Sequence, residues 1–174
     1  MVEESIKGLL YAVRGRVVLK YSGQLAVVLA VLTLVPMAVA IFEADWVLVL
    51  RYSILCGALF IVGGVFARLP APEVIRVNEA LTVTALAFIV PALLMAWPMM
   101  LSKLSLVDAI FESVSGITTT GLSTLAKVSD RPASFLFLRA WMQWYGGLGF
   151  IVLSVALLLV LHCVSNLVVY TPHL

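Results

Sequence analysis

The stretch SVSGITTTGLST, residues 113–124, decides how this chain folds. It combines two glycines with a run of hydroxyls, carries no charge, and lies between long apolar segments. A lipid-facing helix gains nothing from such residues, and a surface loop is rarely so poor in charge. Irregular backbone at membrane depth is tolerated only where it is buried in protein or lines water. The stretch is therefore expected to sit inside a protein wall.

Its surroundings support that. Of the 174 residues 63% are hydrophobic and 11% charged, against about half and about a quarter in soluble domains. The chain reads as an integral membrane protein. Its net charge of +2, with no basic patch interleaved with aromatics, gives no case for a nucleic-acid partner. Cys56 and Cys163 lie in separate apolar segments without metal-ligand spacing and read as small buried hydrophobes.

About 20 mostly apolar residues cross a bilayer as a helix. Segments 24–42, 47–67 and 135–162 qualify, and so does 80–101 despite Pro91 and Pro98, because neighbouring groups can satisfy the carbonyls a proline frees. The expectation is an all-α membrane protein with four transmembrane helices. Between the third and fourth lies 106–117, semi-apolar, carrying Asp108 and Glu112, and too short to cross alone. Ser105 three residues before Asp108 fits a helix-start signal, with the serine capping free amides and the acid at the positive helix end. A re-entrant pore half-helix over 106–117 is predicted, followed by an extended filter loop. The organisation is then a cytoplasmic N-terminal segment 1–23, two leading helices in 24–79, a span–half-helix–filter–span repeat in 80–162, and a C-terminal tail 163–174.

Lysine and arginine placement sets the orientation. Lys7, Arg14, Arg16 and Lys20 precede the first span, Glu43–Asp45 after it has no basic residue, and Arg68 and Arg76 flank the next connection. The positive-inside rule places the N-terminus in the cytoplasm, although Lys103, Lys127 and Arg131 weaken the bias. Ala38-Val39-Ala40 has the form of a signal-peptide cleavage site, but the charged lead before it is long and another span follows at once. The first span is expected to stay.

A dehydrated alkali cation needs several oxygen ligands, and carbonyls of an extended loop can replace its water shell. Turning them inward favours a residue without a Cβ, which Gly121 supplies. The negative C-terminal end of the half-helix favours a cation at the same place. FESVSGITTTGLST, followed by LRAWMQWYGGLGFIVL, resembles the first pore repeat of the Trk/Ktr/HKT potassium transporters. The resemblance runs from the first span to about Leu161, and its TTTG and R-x-x-x-Q-W-x-G-G-x-G motifs are specific in combination. It places the family's filter glycine on Gly121, with Thr118, Thr119, Thr120 and Leu122 beside it, and potassium on the carbonyls of Thr119, Thr120 and Gly121. It implies four repeats in one chain, potassium uptake across a bacterial cytoplasmic membrane, and a cytoplasmic nucleotide-binding regulatory subunit as partner. No tightly bound organic cofactor is expected.

In the second motif Gly146, Gly147 and Gly149 read as helix-packing residues that let another backbone approach. Arg139 and Glu112 are costly charges near membrane depth, and they are expected to pair and brace the half-helix behind the filter. His162, Trp97, Trp141 and Trp144 read as interfacial residues. No phosphate-cradling loop, His/Cys cluster or nucleophile with a plausible base supports an enzyme. A non-conducting assembly module is the alternative. With one TTTG in the chain, the remaining filter segments come either from further repeats of a longer transporter, the favoured expectation, or from further copies in a homotetramer.

Overall fold

The computed structural model describes residues 12–72 and 75–170, with the backbone alone for 156, 157 and 159–170. Lys7, the side chains of His162 and Cys163, and residues 171–174 lie outside the described residues. Among the described residues five α-helices follow in order: α1 (Gly15–Phe42), α2 (Trp46–Ala67), α3 (Val77–Met99), α4 (Leu106–Ile117) and α5 (Ala133–Tyr170). Short 3-10 turns at Met100–Ser102 and Val128–Asp130 separate the last three, and no strand occurs among the described residues. Three helices there are long and apolar enough to cross a membrane, namely α1, α2, and α3 with its 3-10 extension. The 38-residue α5 is a further long helix.

The long helices are apolar all round, as helices in hydrocarbon are, whereas the 12-residue α4 is strongly two-faced. Its faces are inverted relative to a water-soluble helix. Glu112, Ser113 and Ser115 point inward, while Val107, Phe111 and Val114 are exposed. An apolar outer face over a polar inner one suits surroundings of lipid or apolar protein rather than water.

Acids hold the helix starts. Asp45 accepts the Leu48 N–H at 3.1 Å at the start of α2. Glu79 accepts the Arg76 N–H at 3.0 Å at the start of α3. Glu43, from the turn before α2, reaches across to accept the Ser134 N–H of α5 at 3.0 Å. Each satisfies an amide that has no partner within its own helix. α1 closes with its C-terminal carbonyls satisfied by two bonds, Asp45 N–H to Ala40 and Ala44 N–H to Ile41. That closure puts Ala44 in the left-handed region at φ 55°, where glycine is the usual occupant.

The core joins all five helices through Ala30, Tyr52, Met95, Ala109, Leu138 and Met142. α1 and α2 cross on Gly23 and Gly63, where an added Cβ at Gly23 would stand 2.9 Å from the Gly63 carbonyl oxygen. At their starts α1 and α3 are clamped by Arg14, which donates to both carboxylate oxygens of the fully buried Glu79 at 2.6 and 2.8 Å. Pro36 lies inside α1 and has no N–H to give Leu32, four residues back. The Trp141 indole of α5 donates to that carbonyl at 3.0 Å. Trp141 is thus engaged inside the helix bundle instead of anchoring an interface with its N–H.

Candidate functional site

α4 starts as its sequence predicts: the Ser105 hydroxyl accepts the Asp108 N–H at 3.1 Å and donates to the Asp108 carboxylate at 2.6 Å. That second bond, ahead of one from Thr124, holds the Asp108 carboxyl below the usual carboxylate range. The far end stops at Ile117 against α5, and the chain turns back through Thr118–Leu122. Two left-handed residues make the return, Thr119 at φ 59° and Gly121 at φ 77°. A β-branched residue at positive φ is a genuine outlier, so the surrounding bonds must hold Thr119 there.

Those bonds come from α4. The Ser115 hydroxyl donates to the Leu122 carbonyl at 2.6 Å. Glu112 Oε1 accepts from the Ser123 hydroxyl and from the Thr124 N–H, the latter at 2.9 Å. Thr118 donates to the Val114 carbonyl at 2.7 Å, and its hydroxyl lies 2.8 Å from that of Thr120. Ser113, on the same helix, donates to the Ala92 carbonyl of α3 and ties α4 to its neighbour.

Arg139 of α5 reaches the same segment from behind. Nη1 stands 2.9 Å from Glu112 Oε2, a charge contact off the hydrogen-bond axis, with Glu112 0% and Arg139 7% exposed. Nη2 donates to the carbonyls of Leu122 at 2.7 Å and Gly121 at 3.1 Å. The two charges paired from the sequence therefore touch, but the guanidinium also takes two backbone oxygens. The Gly121 carbonyl therefore accepts from a fixed cation. The carbonyls of Thr118, Thr119 and Thr120 accept no hydrogen bond from any described residue, and all three residues are exposed.

The three glycines of the second motif are not equivalent. A Cβ at Gly146 would lie 2.0 Å from the Ile117 carbonyl oxygen, so only glycine lets α4 end against α5 there. Gly147 and Gly149 would meet Thr119 and Phe88 at 3.5 and 3.6 Å, an ordinary contact. Close backbone approach therefore explains one of the three. At Gly121 the nearest atom to an added Cβ is 3.9 Å away, so its glycine is required by φ and not by space.

Ser123, Glu79 and the Trp141–Leu32 bond were not singled out in the sequence. Ser115 follows Glu112 by three residues and so shares its helix face, a signal the spacing carried. Glu79 is a carboxylate at the edge of an apolar span and carried a similar one. Among the described residues no cluster of His, Cys, Asp and Glu could hold a metal ion.

Long apolar helices around a short capped helix and a polar return define a helical membrane protein. The family described as TrkH, cation transport protein, matches residues 71–169. The chain belongs to this family. It is 33% identical over 145 residues to an uncharacterized cation transporter of Methanocaldococcus jannaschii, covering 81% of this chain and 30% of that protein. It is 32% identical over 151 residues to the Trk system potassium uptake protein TrkH of Halomonas elongata, covering 82% and 30%. Against TrkH of Escherichia coli strain K12 the identity reaches 51% over 59 residues, 34% of this chain and 12% of that one. The chain thus spans about 30% of the length of the first two relatives.

Proposed function

We propose that this chain supplies one filter segment of a potassium uptake pathway across the cytoplasmic membrane. α1, α2, α3 and α5 cross the bilayer, with the N-terminus inside. α4 enters from the outer face as a half-helix and stops near the midplane. The observation that carries this reading is the row of free carbonyls at Thr118, Thr119 and Thr120, between ends that Ser115, Glu112 and Arg139 hold in place. Such a row can substitute for the water shell of a monovalent cation, and the negative end of α4 points at the same place. The exposed run is then the surface that faces the axis and the neighbouring filter segments.

Several such segments are needed around an axis, and this chain contains one TTTG. The others come from further repeats, in keeping with the length of the potassium uptake relatives. A cytoplasmic nucleotide-binding subunit is the expected partner, on the resemblance alone. The test is Gly121→Ser in the native gene, expressed in an uptake-deficient bacterium, with potassium and sodium influx measured together. Serine is small enough for the open space beside Gly121 but strained at its φ of 77°, so the potassium-to-sodium ratio falls. An unchanged ratio removes this segment from the filter.

A further inference from the structure

A small cavity of ≈ 40 Å³ lies where the start of α2, the end of α3 and the start of α5 meet. Met99, Phe135 and Leu138 give it apolar walls, and Asp45, Tyr52 and Ser134 line it with polar side chains. These walls are buried within this chain itself: Tyr52 is 0% exposed, Ser134 5%, and the three apolar residues are buried as well.

Three side-chain oxygens there have bonding capacity to spare. The Tyr52 hydroxyl is buried and has no hydrogen-bond partner among the described residues. Asp45 lies seven residues before Tyr52, close to two helical turns, so both lie on one face of α2. A long helical side chain leans toward the N-terminus of its own helix, which aims the Tyr52 hydroxyl at the Asp45 end. One carboxylate oxygen of Asp45 accepts the Leu48 N–H, and the other accepts no bond from any described residue. The Ser134 N–H goes to Glu43, while the Ser134 hydroxyl makes no bond among the described residues. Ser102 also lines the cavity, but Arg131 already donates to its carbonyl. A buried hydroxyl without a partner is costly, and no side chain here stands within bonding distance of Tyr52. A water needs about 10–15 Å³ of cavity and two to four polar partners, and this site offers both.

We infer that the cavity is a binding site for an ordered water that links Tyr52 of α2 to Ser134 of α5. The water accepts from the Tyr52 O–H, donates to the free Asp45 oxygen and donates to the Ser134 hydroxyl. It pins the start of α5 to α2 beside the Glu43 bond, five residues ahead of Arg139. The site uses nothing of the return segment and is independent of the filter reading.

Two measurements on the protein expressed from its native gene test this. Brief X-ray irradiation makes hydroxyl radicals from bound water, and mass spectrometry then reads which side chains gain oxygen. Tyr52 is expected to be hydroxylated although fully buried, alongside the partly exposed Tyr21. An unlabelled Tyr52 beside a labelled Tyr21 overturns the assignment, and this arm needs no variant. In mild detergent, Tyr52→Phe and Ser134→Ala should each lower the unfolding midpoint, and the double variant should lose less than the two losses added. Ser134→Ala keeps the backbone bond to Glu43, so its loss reports the hydroxyl alone. A midpoint unchanged or raised in Tyr52→Phe overturns the site, because removing an unpartnered hydroxyl costs nothing. Strictly additive losses overturn it as well, since residues that share a water are coupled through it.

Discussion

Arg139 reaches three oxygens, one carboxylate and two carbonyls, and this changes what its substitution should do. Removing one partner of a buried ion pair costs about 3–5 kcal/mol, because the other charge is left uncompensated. Arg139→Gln and Glu112→Gln should each lower the unfolding midpoint in mild detergent on that scale. Exchanging the charges is a natural rescue experiment for a simple pair. Here it should recover little, since a carboxylate at position 139 would face the Gly121 and Leu122 carbonyls and repel both. Arg139→Lys should likewise recover only part, because an ammonium lacks the fork that spans several acceptors. Full recovery by the swapped double variant would mean that the carbonyl contacts contribute nothing.

At the scale of elements, the position of α4 depends on how closely it approaches α5. The Ile117 carbonyl occupies the space where a Cβ of residue 146 would stand. Gly146→Ala must push the end of α4 outward, at an overpacking cost of about 1–3 kcal/mol, and carry the return segment with it. Gly147→Ala and Gly149→Ala should leave the melting midpoint within error, and three equal losses would contradict the geometry. The turn between α1 and α2 predicts the opposite sign. Ala44 holds a left-handed conformation that costs a residue with a Cβ about 1 kcal/mol, so Ala44→Gly should raise the midpoint. How far the sequence discloses these elements follows from the kind of signal each one gives. The Ser105–Asp108 cap and the apolar runs are local, and α4 runs from Leu106 to Ile117 as its sequence predicts. The Arg139–Glu112 contact was legible because two buried charges need partners, whatever the fold. The Gly121 carbonyl's turn toward Arg139 was not, since a backbone rotation leaves no mark on residue identity. Gly146, Gly147 and Gly149 look alike in sequence, and only the path of α4 separates them.

Across the whole molecule, two of the ties between α1 and the later helices differ in chemistry. At one end Arg14 and Glu79 join α1 to α3, and midway along α1 the Trp141 indole joins it to α5. The second fastening exists because Pro36 leaves the Leu32 carbonyl without its helical donor. This makes the tie conditional on the proline. Trp141→Phe removes the N–H while keeping an aromatic ring beside Phe137 and Trp144, and it should cost about 1 kcal/mol, the usual scale for such bonds between membrane helices. In a Pro36→Ala background, residue 36 can donate to Leu32 itself, and the indole bond becomes redundant. Trp141→Phe should then cost measurably less, so the double variant is more stable than the two single losses added together. The changed ring packing appears on both sides of the cycle and cancels. Reversible unfolding of the four proteins in one detergent measures the difference. Costs that add to within about 0.3 kcal/mol, as they do for sites without a shared partner, would show that the proline and the indole are not coupled through Leu32.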